Sequence, residues 1–542
     1  MTSKTENDRV QREALIIGGG PAGLTAALML AEAGLHTHTV EVSDQVGGIS
    51  RTASYKGFRF DIGGHRFFTK VKEVEQLWKR MMGNDFISVP RMSRIYYGGK
   101  YYDYPLRMSN TLGNLGVFES VIIGASYLKW QIRPHKREDN LEQWVTNRFG
   151  QRLFNRFFKT YTEKVWGIPC TSIQADWAAQ RIQNLSLMKA VKNAVFGSND
   201  TTSLIDKFDY PRLGPGMMWE KFRDRLQQMG SEVEMNTRVD ELCHENGVVT
   251  SVKMKQADGT QRSQAVSNVI NTMPLARLIR SLSPPAPQPI LDSADGLKYR
   301  DFLIVTLIVD QADPFPDNWI YIHSPEVKVG RIQNFRSWSE EMVPDPSKAS
   351  IGLEYFCHEG DGIWASDDAD LIELAKRELE VLGLVSSERV IDGTVIRQPK
   401  AYPVYDENYR ACVDSISDYL DGFSNLQTVG RNGMHRYNNQ DHSMLTAMLA
   451  ARNVIDDKGK IRDVWNVNVE RSYHEELVVK KTDVAKQPGT DHSGVPSAPI
   501  MAPHLQEIGS TDEQQPGTRS MADKTVSRIS SVRNAELVAT SE

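Results

Sequence analysis

The sequence predicts an α/β fold: a Rossmann-type parallel unit, an inserted helical domain, and a second, mixed or antiparallel sheet. Three observations carry this reading. Ala14-Leu-Ile-Ile17 runs straight into the glycine-rich turn Gly18 to Gly23, and that turn opens a helix-forming segment, Leu24 to Ala33, which closes on Gly34. From Leu106 to about Val195 the chain is mostly of helical character, interrupted at Pro134, Gly150 and Gly167-Ile-Pro169. Apolar strand runs then recur at Phe302–Val309, Trp319–His323, Ser350–Phe356 and Gly393–Arg397.

The first element is the most specific. Gly18, Gly20 and Gly23 form G-x-G-x-x-G between a buried strand and a helix. One glycine permits the tight turn, one lets backbone approach a pyrophosphate, and one lets helix and strand pack closely. The helix N-terminus then offers unpaired N–H groups to phosphate. A second strand, His38 to Val42, contains Glu41, eighteen residues after Gly23, where an acid would bind the hydroxyls of an adenosine ribose.

Further elements follow in order. Val71 to Met82 has helical periodicity, and Arg94 to Tyr102 reads as a hairpin across Gly98-Gly99. Phe208 to Gly216 reads as a loop, Met217 to Met229 as a helix and Glu232 to Val239 as one strand. Val248–Lys255 and Gln261–Ile270 pair across Asp258-Gly259, and Ser443 to Val454 is a helix. The expected organisation is a lead over residues 1–12 and a discontinuous dinucleotide-binding domain over 13–93, 215–273 and 425–470. A helical domain spans 107–210, and a substrate-side sheet domain 94–106 with 274–424. The tail, 487–542, lacks Trp, Tyr and Phe and should be disordered.

Composition bounds the function. The 542 residues are 40% hydrophobic and 25% charged with net charge −5, a globular balance with no basic excess for nucleic acid. Cys170, Cys243, Cys357 and Cys412 are scattered without ligand spacing, so neither disulfides nor a metal site is expected, which fits a reducing compartment. The polar start up to Arg12 lacks an apolar signal core, and the most apolar stretch, Val117 to Leu128, is broken by Glu119 and Gly124. A cytoplasmic protein without a membrane span is expected; the oligomeric state is left open.

After Glu41 come Gly47, Gly48 and Arg51, then Phe60-Asp-Ile-Gly-Gly64-His65. This order resembles the flavoproteins that include amine oxidases, protoporphyrinogen oxidase and UDP-galactopyranose mutase. The resemblance implies FAD, with Gly47, Gly48 and Arg51 at its pyrophosphate and Val239 against adenine. Local patterns narrow it to the mutases. Gly63-Gly64-His65 resembles their histidine loop beside the flavin. Tyr104-Pro105 follows the hairpin, and Lys164-Val-Trp166-Gly-Ile-Pro169 resembles their K-V-W-x-x-P. Gly430-Arg431-Asn-Gly-Met-His-Arg-Tyr437, then Asn439-Gln440-Asp-His-Ser443, is the strongest match. Gly430, Arg431, Asn439, Gln440 and Ser443 thereby complete the implied FAD site.

On the substrate side the resemblance implies Arg181 and Arg331 as diphosphate arginines. It implies Trp319 and Tyr321 in the sugar pocket, with Tyr104 and Trp166 nearby, and Tyr402 and Tyr437 as diphosphate hydrogen-bonders. Arginine's planar fork suits diphosphate oxygens. Departures are Leu106 and Arg107 where mutases carry an aromatic and a glutamine, His435 in place of tryptophan, and the single-residue spacer Asn438. The implied activity is pyranose–furanose interconversion of a nucleotide-diphosphate sugar through a reduced-flavin N5 adduct. His65, Arg181 and Arg331 would be catalytic, and any NAD(P)H reductant would bind at the substrate cleft. The alternatives are a FAD-dependent oxidoreductase taking hydride from its substrate, and an idle partner-binding flavoprotein.

Overall fold

The computed structural model describes residues 13–104, 108–175, 207–457 and 459–467. Its centre is a five-stranded parallel sheet in the order Leu426–Thr428, Asn268–Asn271, Glu13–Ile17, His36–Val40, Glu232–Glu234. The middle strand is buried from Ala14 to Ile17, as expected where helices cover a parallel sheet. Helix Pro21–Glu32 follows that strand, buries eight of its residues and packs against helix Gln440–Asp456. One early turn and one late turn therefore open helices side by side.

A four-stranded sheet, Gln261–Ala265, Val248–Gln256, Thr237–Glu245 and Leu282–Ser283, lies next in the chain. Here the structure corrects the reading of Glu232 to Val239 as one strand. Asn236 takes φ 56°, and the left-handed turn sends Glu232–Glu234 into the parallel sheet and Thr237–Glu245 into the other. Likewise Gln261 to Ile270 divides into Gln261–Ala265 and Asn268–Asn271.

The third sheet has seven strands in the order Val390–Pro403, Tyr299–Val309, Ala349–Cys357, Arg331–Asn334, Trp319–Ile322, Ser93–Tyr97, Lys100–Asp103. All pairings are antiparallel except Trp319–Ile322 with Ser93–Tyr97, which is parallel. Ala349–Cys357 is buried at every position, which makes its one acid, Glu354, conspicuous. The stretch expected to be a loop at 208–216 begins as a strand: Lys207–Pro211 pairs with Phe86–Pro90. Only the last part of that stretch, past Pro211, turns.

Between the hairpin and residue 175 the described chain is helical: Met108–Leu115, Val117–Ile132, Leu141–Phe149 and a run from Gln151 to Trp166. That last run contains a π-helical stretch, Phe154–Lys159, immediately before Tyr161 and Trp166. Among the described residues no helix is long and apolar enough to cross a membrane.

Candidate functional site

The glycine turn is built as its spacing demands. Gly18 takes φ 103°, and its N–H donates to the Val40 carbonyl at 2.8 Å. A Cβ on Gly23 would lie 1.8 Å from the Gly18 carbonyl oxygen, so the helix can approach the strand end only with glycine there. Gly20 has open space instead: its nearest neighbour would be the Gly48 Cα at 3.9 Å. Gly47 and Gly48 both take positive φ and close on the first turn, the Gly47 N–H donating to the Gly19 carbonyl at 2.8 Å.

Glu41 is buried at this turn. One carboxylate oxygen accepts the Gly19 N–H at 2.6 Å, and the other accepts the Ser43 N–H and hydroxyl at 2.9 and 2.7 Å. Arg51 donates to the Gly48 carbonyl at 2.9 Å and to Gln398 at 3.1 Å. Burial lowers its pKa, against the opposing charges of Glu41 and Asp44. Val239 is buried in the core of the four-stranded sheet.

Gly430 takes φ 89° against Ala22 of the first helix. Asn439 caps helix Gln440–Asp456 in a reciprocal box with His442, and Ser443 lies buried in its first turn. The Gln440 side-chain oxygen is buried without a partner. The facing glycines Gly20 and Gly48, the helix start at Pro21, the Glu41 carboxylate and this orphaned acceptor fit a dinucleotide.

A second cluster adjoins the loop Gly63-Gly64-His65. A Cβ on Gly63 would lie 3.7 Å from the Arg331 guanidinium, and one on Gly64 would lie 2.9 Å from Gln333. The loop therefore rests on strand Arg331–Asn334. Burial, Arg431 and Arg331 hold the His65 imidazole pKa down to about 3, so the ring is neutral. Its Nδ1 is buried without a partner.

Arg331 donates twice to Glu354, at 2.9 and 2.5 Å, and Gln333 donates to the same carboxylate. Tyr402 and Tyr437 stack at 5.7 Å and 18°, and the Arg431 guanidinium lies 5.0 and 4.1 Å from their ring centres. Trp166 closes the group, 6.3 Å from Tyr402 and 6.2 Å from Tyr437. Burial raises the Tyr402 pKa against the opposing Arg331 and Arg431, so the phenol keeps its proton.

A third group is aromatic and cationic. Trp319 and Tyr321 lie 6.4 Å apart edge to face, Tyr104 is 4.9 Å from Tyr321, and Tyr161 is 5.6 Å from Tyr321. Arg66 and Arg91 place guanidinium carbons 5.3 and 5.5 Å from the Trp319 ring. The buried Trp319 indole N–H has no acceptor.

The structure thus gathers Arg331, Tyr402, Tyr437, Arg431, Trp166 and His65, and separately Trp319, Tyr321 and Tyr104. Arg181 lies outside the described residues, as do Leu106 and Arg107. The sequence reading missed Glu354, Tyr161, Arg66 and Arg91, and it quoted Lys164 as part of the K-V-W-x-x-P pattern without giving it a role. The signal for Glu354 was a lone acid in an otherwise neutral strand. Lys164 donates to the carbonyls of Ile322, Ser324, Val327 and Val329 at 3.3, 2.9, 2.9 and 3.0 Å. It ties helix Thr160–Trp166 to the loop that leads into Arg331, and burial lowers its pKa to about 8.

Elsewhere, His38, Glu232 and Glu234 come close enough to share a cation. The Arg262 guanidinium is already paired with Glu234 there and lies 3.5 Å from the His38 ring.

Comparison with known proteins bears on this arrangement. The crystal structure of reduced UDP-galactopyranose mutase superposes with a TM-score of 0.73, covering 85% of this chain and 100% of that one at 20% identity. A putrescine oxidase structure gives 0.54, covering 83% and 99% at 15% identity. At such identities the likeness concerns the fold. By sequence, the NADH:acrylate oxidoreductase of Vibrio harveyi is 22% identical over 273 residues, 48% of this chain and 24% of its own length. The 1-hydroxycarotenoid 3,4-desaturase of Flavobacterium sp. is 24% identical over 296 residues, 51% of this chain and 60% of its own. The chain thus spans less than two thirds of these relatives. Residues 21–390, more than half of the chain, match the flavin containing amine oxidoreductase family, and the protein belongs to it.

Proposed function

We propose that the protein is a FAD-dependent isomerase of the UDP-galactopyranose mutase type, interconverting ring forms of a nucleotide-diphosphate sugar. The observation that carries this reading is the convergence of Arg331, Tyr402, Tyr437 and Arg431 beside the Gly63–His65 loop. A guanidinium held charged, the protonated Tyr402 phenol and the Tyr437 hydroxyl are donors suited to a diphosphate leaving group. A hydrogen bond to a charged group contributes about 1.5–3 kcal/mol. Trp166 walls this group, and the half-buried Tyr321, backed by the buried Trp319, offers an aromatic face of the kind that packs on sugar rings.

The chain's own residues divide the work. Arg331 holds the diphosphate while the ring opens and keeps it for reattachment. The two tyrosines share that load as hydroxyl donors. His65 sits in that loop as a neutral ring whose buried Nδ1 is left open to a bound group. A bound reduced flavin supplies the electron-rich ring that this chemistry needs, and an oxidised one supplies a hydride acceptor. Arg181 is proposed as the second diphosphate arginine on the resemblance alone.

A second reading, a FAD-dependent oxidoreductase, also has an observation behind it. Arg331 already carries a buried counterion, and Phe302 and Phe356 line Tyr402 at 6.1 and 5.8 Å. That gives an apolar wall suited to an uncharged substrate, and the curated relatives include a carotenoid desaturase.

The experiment is anaerobic incubation of the flavin-loaded protein, reduced by dithionite or NAD(P)H, with UDP-galactopyranose and a panel of other nucleotide sugars. Ring isomers formed only with reduced flavin, without net redox turnover, are expected. No binding or turnover of any nucleotide sugar, with flavin reduction by an amine or polyene, would move the protein to the second reading.

A further inference from the structure

The most apolar stretch of the sequence is not core. In helix Val117–Ile132 the one buried residue is Ile123. Val117, Phe118, Val121, Leu128 and Ile132 are 83, 81, 65, 59 and 78% exposed. At about 100° per residue these five fall within one arc of about 100°, and the stripe runs the length of the helix, about 22 Å. A continuous exposed apolar strip of this kind marks an interaction surface rather than ordinary scatter.

Its border is basic. Lys129 and Arg133 continue the arc on the Phe118 side, and Lys136 and Arg137 follow just past the helix end; all four are exposed. The one acid of the helix, Glu119, is engaged by Arg152 and Arg156 at 2.7 and 3.4 Å. Asp139 faces Arg137 at 3.3 Å. A protein of net charge −5 thus carries a local positive margin beside its exposed apolar stripe.

We propose that helix Val117–Ile132 is a membrane-surface element, lying in the interface of a bilayer that contains anionic lipid. Charge selects this partner. A second copy of the chain would bring the same basic border and no unengaged acid from this helix to meet it. Anionic headgroups offer a continuous negative surface to Lys129, Arg133 and Lys136, while the headgroup–acyl boundary accepts Phe118, Leu128 and Ile132. The helix lies on the surface and does not span, since its sixteen residues are too few.

The test is flotation of the purified, flavin-loaded full-length protein with vesicles of phosphatidylcholine alone or with about 25% phosphatidylglycerol, at low and high salt. Binding to the anionic vesicles is expected, at least tenfold weaker to neutral ones and weakened by salt. Two variants separate the forces: Phe118→Glu with Leu128→Glu, and Lys129→Glu with Arg133→Glu. Each should lose at least tenfold in vesicle binding with flavin content and melting temperature unchanged. Absence of flotation with the anionic vesicles, or parent-like binding by both variants, would overturn the proposal. So would a dimer in light scattering that the Leu128→Glu pair dissociates, which would assign the stripe to a second copy.

Discussion

Arg331 and Glu354 face each other across adjacent antiparallel strands, register partners whose guanidinium and carboxylate share two hydrogen bonds of 2.9 and 2.5 Å. Glu354 is fully buried, and Arg331 keeps 20% of its side chain exposed. Burial would lower the Arg331 pKa, but the Glu354 carboxylate outweighs it and holds the group charged. The arginine therefore brings its own counterion to the site, and a diphosphate would meet a pair rather than a bare cation.

This pair changes how Arg331 must be tested. Arg331→Ala alone strands a buried carboxylate and should destabilise the protein by about 3–5 kcal/mol in urea unfolding. The double variant Arg331→Gln with Glu354→Gln should recover most of that stability. Its affinity for a nucleotide sugar, by calorimetry, should still fall at least tenfold. Unchanged affinity in the double variant would remove Arg331 from the proposed diphosphate site.

The two glycines of the first turn should separate folding from cofactor binding. Gly23→Ala drives a methyl into the Gly18 carbonyl and should cost several kcal/mol. Gly20→Ala meets nothing closer than 3.9 Å, and its φ of −81° suits alanine. Stripped of flavin, it should melt within about 1 °C of the stripped parent, yet it should purify with less than half the parent's flavin, because the methyl fills the space a pyrophosphate needs. Full flavin occupancy in Gly20→Ala would refute that use of the gap.

Lys164→Met removes the donor shared by four carbonyls while keeping most of the apolar stem. A loss of about 2–4 kcal/mol is expected from the orphaned acceptors. Because the loop they hold leads into Arg331, nucleotide-sugar affinity should weaken as well. Loss of stability without loss of affinity would limit Lys164 to a structural role.

Burial lowers the pKa of His435 to about 4. The unfolded side chain titrates near 6.5, so as pH falls from 6.5 towards 4 the unfolded state takes a proton that the native state refuses. Stability is lost as pH falls, by about 2 kcal/mol from this residue between pH 7 and pH 5. His435 has φ 47°, a backbone conformation that asparagine tolerates. His435→Asn should therefore lose about 2 kcal/mol less than the parent over the same interval, measured by urea unfolding at both pH values. Parallel losses would show that His435 is protonated in the native state.

The α/β class and the glycine turns were legible because they are local: a four-residue apolar run, glycines at fixed offsets, and a helix with a glycine stop. The long strands were legible for the same reason, through apolar runs such as Phe302–Val309, broken only by Thr306. What escaped depended on partners distant in sequence. Lys207–Pro211 becomes a strand because Phe86–Pro90 is there to pair with it. Asn236 breaks a plausible strand through a backbone angle that a polar residue in a strand-like stretch does not advertise. At the site, the family motifs indicated arginines and tyrosines, but no motif indicated that Glu354 would neutralise one of them. A buried acid in an apolar strand was the available clue, and only the register made it a partner.

The parallel pairing of Ser93–Tyr97 with Trp319–Ile322 has a consequence for synthesis on the ribosome. The early hairpin leaves the exit tunnel with one side of its ladder unmatched, and its partner strand follows more than two hundred residues later. At about 5–20 residues per second the wait is roughly 10–45 s. During that interval the nascent chain carries an open strand edge, a template for unwanted pairing. Nascent chains ending before residue 319 should therefore depend on chaperone cover far more than the finished protein does.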